Sequence, residues 1–331
     1  MKQKIAFIGT GGTISSLGLD PLDIVFYGEQ KNMLQAAGIL EAVPEVQMVA
    51  DVVPVAFDNI ASPNIAFDGW KALAALCSKV VADDPQIAGI VIGHGTATLE
   101  ETAYFLGLTV KVAVPVVVVG SQRPLSGLSS DAKMNLVNAV RVAASPASVG
   151  RGVLVLLNDE IHAAREVTKS ATFRMQTFRA PDFGMLGYVD GDAVAYYRRT
   201  ERRAAPDTEF DITDLAELPR VDISYSYAGA DGAEIDAYVA VGAKGIISAG
   251  FAPGMATPAQ AEALVRARQA GVVIVQGTRV GSGVVHQGKR LRDMGFLTAD
   301  NLNPQKARIL LALALTRTSD PTEIARIFST Y

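Results

Sequence analysis

Two threonines, each delivered by a glycine turn, are the residues of this 331-residue chain best placed to do chemistry. Thr13 follows the apolar run Ile5-Ala6-Phe7-Ile8 and the turn Gly9-Thr10-Gly11-Gly12; Thr96 follows Ile90-Val91-Ile92 and Gly93-His94-Gly95. Strand, glycine turn and hydroxyl in that order is how an open α/β sheet presents a phosphate cradle or a nucleophile outside the carboxyl ends of its strands. A dinucleotide cradle would need G-x-G-x-x-G, but Thr13 and Ile14 stand where the third glycine should fall, and a phosphate loop would need a lysine that this turn lacks. The histidines His94, His162 and His286 and the single Cys77 are scattered without ligand spacing, so no metal and no cofactor is expected. A Ser-His-Asp arrangement would have to rest on His94 with no Gly-x-Ser-x-Gly elbow. Hydroxyl and lysine chemistry remains. A threonine hydroxyl is inert until a base removes its proton, and Lys169 or Tyr27 could be that base if its pKa is lowered. A loop lysine is ordinarily solvated surface and a loop tyrosine ordinarily packing, so the argument rests on the combination.

The elements around these residues predict how they are held. Residues 4–8, 87–92, 114–119 and 152–157 read as short buried strands, 46–57 as β-type, and 67–82, 99–106 and 132–144 as helices, the last capped by Ser130 and Asp131. Strands alternating with helices at this pitch mean βαβ units and a mostly parallel sheet, on whose carboxyl edge Thr13 and Thr96 would both surface. Residues 15–30, with Gly18, Pro21 and Gly28, form a lid candidate carrying Asp20, Asp23 and Tyr27, and 158–169 is a polar segment with His162, Arg165, Glu166 and Lys169. The expected division is an N-terminal α/β domain over 1–196, a charged linker over 197–219 and a smaller α/β domain over 220–331. In the smaller domain, 221–225, 245–249 and 272–276 read as strands, and 232–241, 258–270, 304–316 and 321–328 as helices. A net charge of −4, with 30 Lys+Arg against 34 Asp+Glu and no basic block, argues against a nucleic-acid partner. No run approaches a membrane span and no secretory signal pattern opens the chain, so the expectation is a cytoplasmic enzyme with a small-molecule partner.

Further motifs carry a resemblance. Thr10-Gly11-Gly12-Thr13-Ile14; Gly93-His94-Gly95-Thr96 with Glu100-Glu101-Thr102; Leu157-Asn158-Asp159 with Arg165-Glu166-Val167-Thr168-Lys169; and Leu302-Asn303-Pro304-Gln305-Lys306-Ala307-Arg308 resemble the bacterial-type L-asparaginase/glutaminase family, in the family's order and across nearly the whole chain. The resemblance implies a two-domain α/β amidohydrolase, commonly a homotetramer built as a dimer of dimers, with sites between domains and help from a neighbouring subunit. It implies Thr13 as the acylated nucleophile, Thr96 and Lys169 as the second threonine and lysine, and Tyr27 as the lid tyrosine. Backbone N–H groups at Thr13 and Ala97 would hold the oxyanion. Ser62 falls where the family binds the substrate α-carboxylate.

The chain departs from the family pattern around one substrate group. The family aspartate that meets the substrate ammonium is Ala97 here, and a neighbouring glutamine is Pro63. Arg290 falls where better-known members place a glutamate, and Pro253 where they place an asparagine. Losing a charged partner in a desolvated site costs about 2–5 kcal/mol per contact. The expectation is therefore a substrate without a free α-ammonium: a lactam, imide, ureide, N-substituted asparagine or dicarboxylic half-amide. The alternatives are an ordinary L-asparaginase and a non-catalytic binding protein on the same fold. The missing aspartate should also lower the pKa of Lys169 unless Glu166 or another carboxylate compensates.

Overall fold

The computed structural model describes residues 2–30 and 32–331 and divides the chain into two compact units, Met1–Thr213 and Asp214–Tyr331. Strands of the first are β1 Lys4–Gly9, β2 Asp51–Val55, β3 Ile87–Gly93, β4 Val116–Val119, β5 Val153–Leu157, β6 Glu160–Ala163, β7 Thr168–Lys169, β8 Phe178–Arg179, β9 Gly187–Asp190 and β10 Ala193–Tyr196. Its helices are α1 Ala36–Ala42, α2 Val46–Val49, α3 Phe67–Asp83, α4 Leu99–Thr109 and α5 Ala132–Ala144. Eight strands form one sheet in the order β10-β9-β6-β5-β4-β3-β1-β2, while β7 and β8 pair separately. The neighbours from β2 to β5 are parallel, and those from β5 through β6 and β9 to β10 are antiparallel. The sheet is therefore mixed, with its parallel half where sequence alternation predicts it.

Continuous apolar strands arise because the parallel half is covered on both faces: β3 is buried along nearly its whole length and β4 throughout. Pro54 sits in β2, the edge strand, where a missing N–H costs no ladder bond to a further neighbour. Trp70, Leu73, Ala74 and Cys77 form the buried stripe of α3, and the Trp70 ring stacks on Phe105 of α4 at 4.9 Å. Burial pushes the Cys77 thiol up to about 12, so it is an inert core group.

Three local expectations are corrected. Residues 46–49 are a turn of helix, not strand: Gln47 Nε2 donates to Val52 O at 2.7 Å and Gln47 Oε1 accepts from Val52 N at 3.2 Å, folding the β-branched stretch back onto the strand that follows. Asp131 stands at the N-cap position of α5 but its side chain does not cap the helix, because its carboxylate accepts from Gln122 N and Arg123 N on the loop after β4. Ser130 Oγ instead accepts from Ala132 N. Residues 197–213, read as linker, lie with the first unit, where Ala205 N donates to Gly107 O and Thr208 Oγ1 to Leu108 O.

The second unit is a four-stranded parallel sheet in sequence order: β11 Val221–Tyr225, β12 Gly245–Gly250, β13 Val273–Thr278 and β14 Leu297–Thr298. Its helices are α6 Ala233–Ala240, α7 Pro258–Gln269, α8 Lys289–Met294, α9 Pro304–Leu315 and α10 Pro321–Thr330. Three of them start on one device: Thr257, Asn303 and Asp320 cap the helix with a side-chain oxygen and a proline fills the first helical position. The short α8 and β14 lack a sequence periodicity long enough to announce them. Among the described residues no helix is long and apolar enough to cross a membrane.

Candidate active site

The two glycine turns meet because their strands are neighbours in register. β1 and β3 pair with Gly9 opposite Gly93, so both end at the same level of the sheet. Thr10 then donates to Gly93 O twice, from N at 2.9 Å and from Oγ1 at 3.0 Å. Beyond that clamp the turns touch: a Cβ placed on Gly12, at φ 86°, would lie 2.2 Å from Gly95 Cα, and one on Gly95 would lie 2.7 Å from Ser62 Oγ. Glycine at position 12 is thus required by both conformation and space. Gly12→Ala should lower unfolding free energy by roughly 2–5 kcal/mol, because strain and overpacking act together. Urea melts read this directly, and an unchanged midpoint would show that the turns do not need this contact.

The turns carry two hydroxyl pairs. Thr13 Oγ1, half-buried, lies 2.8 Å from Tyr27 OH, and the buried Thr96 Oγ1 accepts a hydrogen bond from Lys169 Nζ at 2.7 Å. Tyr27 stands in a short 3-10 turn at the end of the 15–30 loop. That loop is braced internally by Asp23, which accepts from Leu19 N and Phe26 N. It is braced externally by bonds from Gly18 N to Ser126 Oγ and from Leu128 N to Pro21 O. Lys169 ends β7, paired with Phe178 of β8. Burial lowers the Lys169 pKa below its ordinary value, and the Glu100 carboxylate opposes that shift. A lysine so placed can shed its proton and accept one from a hydroxyl. Among the described residues the backbone N–H groups of Gly12 and Thr13, which open a 3-10 turn, and of Thr96 and Ala97, which precede the N-cap residue of α4, find no acceptor, and they are donors available to a developing oxyanion.

The remaining expected residues divide. Ser62 is buried beside Gly95, and its carbonyl accepts from Thr98 Oγ1 at 2.7 Å, which ties residue 62 to the second turn. Ala97 and Pro63 are exposed, and Ala97 follows Thr96 directly. Arg290 belongs to the second unit, exposed on α8, and Pro253 follows a cis peptide bond in the same unit. Glu166 does not compensate for the missing aspartate, because its carboxylate is taken by Arg198.

Glu100 is the residue that sequence reasoning missed. In the sequence it stands as part of the motif that follows Thr96, yet Glu100 Oε1 accepts from Lys169 N at 3.1 Å and from Thr168 Oγ1 at 3.0 Å. No sequence signal joins positions 100 and 169.

His94 is removed from the list of bases by its partners. Trp70 Nε1 can only donate, and it does so to Thr102 Oγ1 at 2.8 Å. The Thr102 hydrogen therefore goes to His94 Nε2 at 3.0 Å, and Nδ1–H donates to Gly95 O at 2.8 Å. Both nitrogens are engaged, and burial pushes the imidazole pKa down to about 4. The ring is a neutral brace under the second turn.

Comparison with known proteins identifies the family. Residues 4–202 match the family described as "Asparaginase, N-terminal", and residues 220–328 match the "Glutaminase/Asparaginase C-terminal domain". The chain is 41% identical over 328 residues to L-asparaginase 2 of Bacillus subtilis, covering 99% of this chain and 86% of that one. It is 41% identical over 330 residues to L-asparaginase 2 of Escherichia coli, covering 99% and 93%. A crystal structure of a probable cytoplasmic L-asparaginase from Campylobacter jejuni superposes with a TM-score of 0.94 at 38% identity, covering all of both chains. With both family domains matched in order over a pair of glycine turns that carry threonines, the chain belongs to the asparaginase/glutaminase family of amidohydrolases, enzymes that act on C–N bonds other than peptide bonds.

Proposed function

We propose that the protein cleaves a small amide through an acyl-enzyme on Thr13, and that its substrate keeps a carboxylate but lacks a free α-ammonium. The carrying observation is Ala97: an exposed methyl group directly follows Thr96, beside a lysine whose side chain hydrogen-bonds a hydroxyl and not a carboxylate. An ammonium brought there would leave water and gain no anion from residue 97, and Pro63 offers no amide in exchange. Ser62 remains to face a carboxylate. A dicarboxylic half-amide fits these terms best, with lactams, imides, ureides and N-substituted asparagines sharing the missing ammonium.

The course of reaction follows from the two pairs. Thr13 Oγ1 attacks the amide carbonyl as its proton passes toward Tyr27, the hydroxyl 2.8 Å away. The carbonyl oxygen becomes an oxyanion facing the free N–H groups of the turns. The C–N bond breaks as Tyr27 relays to the nitrogen the proton that Thr13 gave up, the amine leaves, and Thr13 is left as an ester. Neutral Lys169, through Thr96, takes a proton from the water that attacks the ester. The acyl C–O bond breaks, the departing Thr13 Oγ1 regains a proton from the new carboxylic acid, whose carboxylate leaves, and Lys169 is neutral again when its own proton is released to solvent. A cytoplasmic setting belongs to this reading, supported by the description of the Campylobacter jejuni relative.

A second reading, ordinary L-asparagine hydrolysis, is favoured by the names of relatives at 41% identity. Steady-state kinetics on L-asparagine, L-glutamine, succinamate, an N-substituted asparagine, a lactam and a cyclic imide separates the two. The expected result is a kcat/KM for one ammonium-free substrate at least tenfold above that for L-asparagine, matching about 1.4 kcal/mol of discrimination. A clear preference for L-asparagine would establish the second reading.

A further inference from the structure

The lysine of this site is located by more than its own hairpin. Thr96 and Glu100 lie four residues apart, Thr96 on the second glycine turn and Glu100 in the first turn of α4. From there the buried Glu100 carboxylate accepts Lys169 N, and Lys169 Nζ reaches back to Thr96 Oγ1. The contacts close a ring: Thr96 along the chain to Glu100, across to the Lys169 backbone, out along its side chain and back to Thr96. A ring of this kind fixes both ends of a long, rotamer-rich side chain, which otherwise loses its definition at Nζ. Thr168 Oγ1 binds the same carboxylate oxygen, so two consecutive residues of β7 are held by one acid.

The charged surroundings single out the same residue. Glu166 is paired with Arg198, Arg179 is exposed and faces Thr168 across β7 and β8, and Tyr27 is bonded to Thr13. Position 97 supplies a methyl group. Glu100 is thus the carboxylate whose field acts on Lys169, against the desolvation that favours the neutral amine.

We propose that Glu100 is a positioning residue for the Thr96–Lys169 pair and the carboxylate through which this site, with alanine at position 97, governs the charge of its lysine. The inference rests on the reading of Lys169 as the base.

The test is the pH dependence of kcat/KM, measured on whichever amide is turned over, for the native protein, Glu100→Gln, Glu100→Asp and Lys169→Met. Glutamine keeps an oxygen for Lys169 N and removes the charge, so the acidic limb should move to lower pH by about one unit. Aspartate keeps the charge and withdraws the oxygen by one methylene. Its limb should stay near the native position while the plateau rate falls roughly ten- to hundredfold. A residue that merely supported the fold would lower the rate at every pH without moving the limb. An unmoved limb in folded Glu100→Gln, with Lys169→Met inactive, would overturn this proposal alone. If Glu100→Gln does not fold, a native plateau rate in Glu100→Asp overturns it instead. Retained activity in Lys169→Met would overturn the reading of Lys169 as base, a separate result.

Discussion

Thr13→Ala should remove turnover, by roughly 10⁴-fold or more, while leaving the fold in place. The substitution deletes the only atom proposed to bond with the substrate carbonyl; the Thr96 hydroxyl is committed to Lys169, His94 has both nitrogens engaged and Cys77 is buried in α3. The structural cost is small. Thr13 is half-buried and its hydroxyl makes one hydrogen bond, to Tyr27, so its loss should change stability by about 1 kcal/mol or less. Intact-mass measurement of the native protein with a slow amide should show an acyl adduct that Thr13→Ala lacks. A variant within tenfold of the native rate, or one still acylated, would take the nucleophile away from Thr13. Binding of the amide with neither acylation nor turnover in the native protein would favour the binding-protein alternative.

The second large effect is a gain. Ala97→Asp should raise kcat/KM for L-asparagine by roughly tenfold or more, about 1.4 kcal/mol, because it returns an anion for the substrate ammonium to the position after Thr96. Position 97 is exposed on the turn, so the larger side chain needs no repacking and stability should change by about 0.5 kcal/mol or less. The new carboxylate would also sit beside Lys169 and favour its charged form, moving the acidic limb of the pH profile upward. This is the opposite direction to Glu100→Gln, so the two variants bracket the native limb. The same substitution should lower kcat/KM for a half-amide, which has no ammonium to pair with the new charge. Unchanged asparagine kinetics in a folded Ala97→Asp would show that residue 97 does not face the substrate α-position.

The parts of the fold that could be read from sequence are those set by local pattern. The buried strands β1, β3 and β4 are short apolar runs broken by glycine, and α7, α9 and α10 begin where Thr-Pro, Asn-Pro and Asp-Pro pairs combine a capping oxygen with proline at the first helical position. Misreadings occur where a side chain overrides local preference. Val46–Val49 has strand-forming residues, but two hydrogen bonds between Gln47 and Val52 turn it into helix. Asp131 stands where a cap belongs, yet its carboxylate is drawn to the N–H groups of residues 122 and 123. In each case the competing partner is visible only in space.

The same distinction runs through the site. Sequence by itself determined that two threonines follow two glycine turns and that alanine stands where the family carries an aspartate, since residue identity and short spacing are properties of the chain. It also offered Lys169 and Tyr27 as candidate bases, and named Ser62 through resemblance to a family. The tertiary structure decided which hydroxyl each partner serves, Thr13 with Tyr27 and Thr96 with Lys169, because β1 and β3 lie side by side in register and bring their turns into contact. It alone revealed Glu100, whose bond to the Lys169 backbone joins positions 69 residues apart. Hydrogen bonds and electrostatic fields depend on distance through space, and only a folded sheet brings such positions within their reach.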